Sequence, residues 1–426
     1  MDESESRNFY NALFYRLPDA LALRLNKERP HVHTSIPKAC RGTLTADKAL
    51  RPASRTIRCP CFMQPDPSLY AALPEQHAAG APQRGVDRPQ QPLTIAFGID
   101  NAFALPLAAT LHSLLDGLSG NAKPHLYIMR VAGRGLSTTN KERLHRVVRG
   151  RAVLHWPTLA RLPIDPALLA TSAQLSLATH YRIFLPGLLP PTCSRVLYLD
   201  ADVIVRGDVS PLWETDMKGH VVMAVRDPAI FNVASPMGIM TYRELGIAPD
   251  APYFNGGVLL VDIEKWREER MTERFLDFST TYGSYARWGD QDGLNAIMQG
   301  RWGALDERWN IQTFVVDGRA VQTRPDHEQY VAGLRAREEV LTSGSHIIHY
   351  TQGRKPWHPW CTHPYRSLFH RHFRASGCFS TSLGYGAWYA LRYGTWVYKK
   401  LTTRKTWKKI WRRTWRKAAS RRVGAR

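Results

Sequence analysis

The sequence predicts an α/β domain with a mostly parallel central sheet, and three observations predict it. From residue 93 onward, apolar runs of strand length alternate with amphipathic stretches of helix length. One apolar run, Arg195-Val196-Leu197-Tyr198-Leu199, passes directly into Asp200-Ala201-Asp202. Polar groups beside glycine adjoin a strand at Asn255-Gly256-Gly257 and open a helix at Gly289-Asp290-Gln291-Asp292. Ligands of such sheets bind outside the carboxyl ends of the strands, so the chemistry is expected there.

Composition permits this. A chain of 426 residues, 44% hydrophobic and 22% charged, buries a full core and excludes wholesale disorder. Six Cys in so long a chain do not make a disulfide framework. The net charge of +22 suggests a nucleic-acid binder until it is located. No acid follows Glu339, where nineteen Lys/Arg contribute +19, which leaves only +3 for residues 1–339. The body is nearly neutral, and the basic character belongs to the C-terminal segment.

Residues 1–91 read as a poorly structured extension. One amphipathic stretch, Asn8 to Lys27, places Phe9, Tyr10, Leu13, Phe14, Leu17 and Leu21 on one side. Cys40, Cys59 and Cys61 lack a fourth ligand at zinc spacing. The acidic start Met1-Asp2-Glu3-Ser4-Glu5 has no apolar run behind it, and no run of about 18 apolar residues occurs, so the expected location is cytoplasmic, with reduced thiols.

A domain over residues 92–360 follows. Leu93-Thr94-Ile95-Ala96-Phe97-Gly98 is a strand closed by Gly98 and Asp100-Asn101. A helix over Leu105 to Leu118, a strand over Pro124 to Val131, a helix over Thr138 to Arg149 and a strand over Ala152 to Trp156 continue the alternation. In Asp200-Ala201-Asp202, an extended backbone puts both carboxylates on one face by its period of two. Two close carboxylates repel and call for a cation, and oxygen ligands favour Mg²⁺ or Mn²⁺. His349 ends the run His346-Ile347-Ile348-His349, and Lys355 follows six residues on. That pair suits a metal-bridged pyrophosphate, with the imidazole on the ion and the ammonium on phosphate oxygens. His346, His358, His363, His370 and His372 fit no ligand spacing and stay unassigned.

Together and in order, these segments resemble a known family. Ile95 through Asn101, Ala178-Thr179-His180-Tyr181-Arg182, Tyr198 through Asp202, Phe254 through Gly257, Gly289 through Asp292, and His349-Tyr350 through Lys355-Pro356-Trp357 are similar to the motifs of family 8 glycosyltransferases. The resemblance covers roughly 270 of the 426 residues and is nearest to bacterial lipopolysaccharide core glucosyl- and galactosyltransferases. It implies the GT-A fold (Rossmann-like, with flanking helices) and a retaining transfer of glucose or galactose from a UDP-hexose to a glycan or glycolipid acceptor. By the resemblance, Gly98 and Asp100 hold the uracil and ribose end, Phe103 stacks on the base and Arg182 contacts the donor. Asp200, Asp202 and His349 bind Mn²⁺ or Mg²⁺. Asn255, Gly256, Asp290 and Gln291 line the sugar pocket, and Lys355 holds the leaving phosphate. Gln291 and Asp292 lie nearest the anomeric carbon by motif, and neither is singled out as a nucleophile.

Residues 361–426 read as a basic, aromatic, helical tail. Tyr385 to Arg426 holds fourteen Lys/Arg, nine Trp/Tyr and no acid. As a helix, Trp407, Trp411 and Trp415 fall within about 80° of one another while Lys/Arg fill the opposite side. That pattern suits a helix lying in an anionic membrane surface, here the inner face of the cytoplasmic membrane. Single-stranded nucleic acid is the rival partner, disfavoured because a lipid-linked acceptor explains both body and tail. A catalytically silent sugar-nucleotide binder is the rival function.

Overall fold

Strand β1 (Thr94–Gly98) opens the described fold, and its side chains already show the layering. Ile95 and Phe97 enter one apolar core and Ala96 enters another, so the strand is buried on both faces. This is why it reads as a continuous apolar run rather than an alternation. Asp100 then turns the chain: its Oδ1 accepts the backbone N–H groups of Ala102 at 2.9 Å and Phe103 at 3.2 Å. Helix α1 (Ala104–Gly117) follows, with Pro106 in the first turn, where no N–H is needed.

The computed structural model describes residues 91–394, apart from 121–122, 133–135, 162–163, 165–176, 317–331, 334–343, 352, 354, 359, 380–383 and 392. The chain divides into Met1–Gln64, outside the described residues, and Pro65–Arg426, to which everything below belongs. The expected Asn8–Lys27 helix, the Cys40/Cys59/Cys61 trio and the Trp407–Trp415 helix also lie outside the described residues.

The expected β-α-β-α-β opening is present: β2 (His125–Val131), α2 (Thr138–Val148) and β3 (Val153–His155) follow α1. Ser137 caps α2 by accepting the Asn140 N–H, and the helix ends on Arg149 in the left-handed region. Further strands are β4 (Thr158–Leu159), β5 (Arg195–Leu199), β6 (Val203–Val205), β7 (Val222–Arg226), β8 (Phe254–Asp262), β9 (Trp302–Ala304), β10 (Ile311–Gln312) and β11 (Ile347–His349). The main sheet runs in the order β3-β2-β1-β5-β8-β7-β9, with β4 beside β2. Neighbours are parallel except where β8 pairs antiparallel with β5 and β7, so the sheet is mostly parallel. A small second sheet runs β10-β11-β6. Helices α3 (Met271–Tyr282) and α4 (Asp290–Ile297) follow β8. This is the expected α/β architecture.

The fold does not stop at residue 360, where the sequence suggested a boundary. Helix α5 (Arg366–Ala375) lays Phe369 and Phe373 into the same core as β1 and α1, and Cys378 joins them. Both phenylalanines are 1% exposed, and their burial is worth on the order of 5 kcal/mol together. Tyr385 and Trp388 pack against that core in turn. The aromatic residues at the start of the expected tail are therefore docked on the domain.

Candidate active site

The Asp-Ala-Asp segment sits where β5 leaves the main sheet. Asp200 extends the β5–β8 ladder by one bond, its N–H donating to the Gly257 carbonyl at 2.8 Å. The chain then turns through Ala201 and Asp202 into β6, which belongs to the small sheet. The extended backbone expected through both aspartates is thus replaced by a turn. Thr110 on α1 is one cause: its hydroxyl lies 3.0 Å from the Ala201 carbonyl oxygen and 2.8 Å from that of Val203. The carboxylates converge by tertiary placement instead. β11 runs antiparallel to β6 and sets His349 opposite Val203. Its Nε2 lies 3.4 Å from Asp202 Oδ1 and 3.6 Å from Asp200 Oδ2. Asp200, Asp202 and His349 form a set whose ligand atoms lie within 4.8 Å of one another.

Cations flank this trio. Lys355 Nζ bonds the other Asp202 oxygen and donates to the Tyr350 carbonyl at 2.7 Å. Burial alone pushes the Asp202 carboxyl up, but Lys355 and then His349 hold it well below the usual carboxylate range. Asp200 moves up, because burial and the neighbouring Asp202 charge outweigh the Arg182 guanidinium and His349. Arg182, itself buried, donates from Nε to Asp290, reaches the Gly256 carbonyl and stands 3.4 Å from Asp200 Oδ1. The Tyr198 hydroxyl donates to that same Asp200 oxygen at 2.9 Å.

Glycines let these groups meet. A Cβ at Gly257 would fall 2.1 Å from His349 Cε1 and 2.8 Å from Asp200 Oδ2. One at Gly256 would lie 3.0 Å from the Arg182 guanidinium carbon. At Gly98 it would meet the Ala178 carbonyl at 2.7 Å, so this glycine lets the 3-10 segment Leu177–Phe184, which carries Arg182, pack on β1.

The sugar-pocket candidates separate into accessible and buried groups. Gln291 is partly exposed; its Oε1 accepts the Gly256 N–H at 3.0 Å, and its Nε2 lies 3.4 Å from both Asp227 Oδ2 and the Tyr253 hydroxyl oxygen. Asp290 and Asp292 are each 1% exposed. Asp292 accepts the Tyr253 hydroxyl at 2.6 Å on one oxygen and the Trp288 N–H at 3.0 Å on the other. Burial pushes its carboxyl up to about 6 against those hydrogen bonds. Asn255 is 6% exposed, and its Oδ1 accepts the Gly257 N–H at 3.0 Å. Asp100 and Phe103 stand beyond the carboxyl end of β1, Phe103 edge-on to Trp357 at 5.6 Å between ring centres.

Asp227, Tyr253 and Asn310 belong to this site and carry no motif signal. Asn310 precedes β10, donates from Nδ2 to Asn255 Oδ1 at 3.0 Å, and faces His349 Nδ1 with its Oδ1, also at 3.0 Å. The donor set fits a hard divalent ion that accepts one imidazole: two carboxylates and one imidazole nitrogen converge, with cations placed behind them rather than between.

Comparison with known proteins agrees with this arrangement. Residues 94–361 match the sequence model of the family described as Glycosyl transferase family 8. General stress protein A of Bacillus subtilis (strain 168) is 28% identical over 277 residues, covering 63% of this chain and 89% of that protein. Lipopolysaccharide 1,2-glucosyltransferase of Escherichia coli (strain K12) is 30% identical over 208 residues, covering 49% of this chain and 57% of that protein. The crystal structure of galactosyltransferase LgtC in complex with donor and acceptor sugar analogs superposes with a TM-score of 0.53 at 24% identity, over 66% of this chain and 96% of that one, which is a likeness of fold. The match spans more than half of the chain, the carboxylate-histidine trio lies within it, and the chain therefore belongs to glycosyl transferase family 8.

Proposed function

We propose that this glycosyltransferase moves a hexose, glucose or galactose, with retention, from a UDP-sugar to a lipopolysaccharide-type or related glycan. The observation that carries the reading is the convergence of Asp200, Asp202 and His349 at the end of β5, with Lys355 beside them. These three would hold Mn²⁺ or Mg²⁺, which supplies Lewis-acid stabilisation to a diphosphate leaving group.

The chain's own residues do the rest. Lys355, already held on Asp202 and the Tyr350 carbonyl, meets the negative charge that grows on the leaving phosphate as the anomeric C–O bond breaks. Arg182 fixes Asp290 and the Gly256 carbonyl, and so sets the floor of the sugar pocket. Gln291, the partly exposed member of its motif, presents its amide to the sugar. Asp292 acts through Tyr253, orienting Gln291 from beneath. Gly98, Asp100 and Phe103 take the uridine end, and Asn255 shapes the pocket wall.

With Tyr385 and Trp388 docked on the domain, the basic residues after 394 are proposed to hold the enzyme on the anionic inner face of the cytoplasmic membrane. Among the described residues no helix is long and apolar enough to cross a membrane. Sedimentation with phosphatidylglycerol vesicles, lost above about 0.5 M salt and on truncation after residue 394, is the expected result. Equal retention on neutral vesicles, or preference for an oligonucleotide, would count against it.

Release of UDP from UDP-glucose and UDP-galactose, with Mn²⁺ or with chelator, tests the main reading in wild type and Asp202→Ala. Turnover that needs both metal and Asp202 supports it. Donor binding that ignores metal and Asp202, with no turnover, favours a silent binder instead.

A further inference from the structure

A second group of potential ligands lies outside the active site, between α1 and α5. His112 and Asp116 are four residues apart on α1 and so share a face of that helix. His372 reaches them from α5. The Nδ1 atoms of His112 and His372 are 3.1 Å apart, with ring centres at 5.3 Å and planes inclined by 54°. An Asp116 carboxylate oxygen completes a set whose ligand atoms all lie within 4.8 Å of one another.

Two nitrogens bound to one tetrahedral ion at about 2.0–2.1 Å stand about 3.3 Å apart. The observed pair needs to open by only a few tenths of an ångström. We infer that His112, Asp116 and His372 form a second metal site, one that takes a borderline divalent cation of the zinc class and staples α5 onto α1.

The chemistry differs from that of the first site. Two imidazoles and one carboxylate favour zinc, whereas two carboxylates and one imidazole suit Mn²⁺ or Mg²⁺. Burial lowers the proton affinity of both imidazoles. Arg149 and Arg151 push His112 the same way, His112 and Arg371 push His372, and Asp116 opposes in both cases. Asp116 supplies a counter-charge. Asp116 is exposed and the histidines half-buried, so an ion has a way in, and a water completes four ligands. Such an ion joins the helix after β1 to the helix that leads into the aromatic C-terminal segment.

Calorimetric titration of the metal-stripped full chain with ZnCl₂ tests this. The expected result is one equivalent that survives Asp202→Ala but is lost in His112→Ala and in His372→Ala. Asp116→Asn, an exposed change that leaves the cores untouched, is expected to weaken that equivalent at least about tenfold. Zinc should raise the melting temperature of Asp202→Ala but not of Asp202→Ala carrying His112→Ala or His372→Ala, whose melting without metal reports that they are folded. Substituted Co²⁺ should show the visible bands of a four-coordinate N/O site. With the first site removed by Asp202→Ala, an equivalent that survives the added His112→Ala or His372→Ala, or no equivalent at all, overturns the inference. The pair would then be a hydrogen bond between neutral imidazoles.

Discussion

Asn310 Oδ1 accepts the Nδ1 proton of His349 at 3.0 Å, and the direction of that bond is fixed from three residues away. The Gly257 backbone N–H can only donate, so the Asn255 atom facing it is the carbonyl oxygen. That oxygen takes the Asn310 amide hydrogen, which turns the Asn310 carbonyl toward His349. The imidazole therefore carries a proton on Nδ1, and Nε2 is the nitrogen turned toward Asp200 and Asp202.

Removing this anchor should loosen the metal. Asn310→Ala is expected to lower Mn²⁺ affinity by about 10–100-fold with the fold intact, while Asn310→Asp, which keeps an acceptor for His349, loses less. Mn²⁺ titration followed by electron paramagnetic resonance measures both. Equal affinity in Asn310→Ala and wild type would show that the imidazole needs no such support.

The two adjacent glycines of β8 should differ in cost. At Gly257 an added methyl meets a ring carbon at 2.1 Å and a carboxylate oxygen at 2.8 Å, so His349 must swing away. At Gly256 it meets the guanidinium at 3.0 Å, which a shift of a few tenths of an ångström relieves. Gly257→Ala is expected to lose metal binding and Gly256→Ala to retain most of it, read by the same titration. The reverse order would contradict the packing argument.

Arg182 and Asp290 form a buried ion pair, with side chains 5% and 1% exposed. Arg182→Met leaves the Asp290 charge without its partner in the interior and should destabilise the fold by about 3–5 kcal/mol. Adding Asp290→Leu should recover a large part of that loss, because it removes the stranded charge. Urea unfolding of the single and double variants gives the coupling, and strictly additive losses would rule it out.

Asp292 predicts an unusual pH dependence. Its carboxyl ionises at about 6 when folded, against 3.8 unfolded. Between those values the folded chain holds a proton that the unfolded chain has released. The stability from this group is therefore full below 3.8, falls as pH rises to about 6, and is flat above. The gap corresponds to about 3 kcal/mol. The stability of wild type relative to Asp292→Asn should accordingly be greater at pH 4 than at pH 7 by about that amount. Denaturant unfolding at the two pH values checks it, and a constant difference would mean the buried carboxyl does not titrate.

The β-α-β-α-β opening and strands β5 and β8 are legible in the sequence, because β1, β5 and β8 lie between two cores and so appear as apolar runs. So are the candidates Asp200, Asp202 and His349, beside strand ends where an α/β sheet places its ligands, with Lys355 six residues beyond the last of them. How they meet depends on packing and strand pairing. The turn at Ala201 breaks the period of two, and the pairing of β11 with β6 brings His349 to the carboxylates instead. Within the Asp-Gln-Asp motif the sequence offers three polar residues in a row, and burial alone separates the partly exposed Gln291 from Asp290 and Asp292. Asn310 lies 39 residues from His349, and His112 lies 260 residues from His372. Periodicity reports neighbours within a few residues along one element. Contacts across such separations depend on which strands pair and which helices pack.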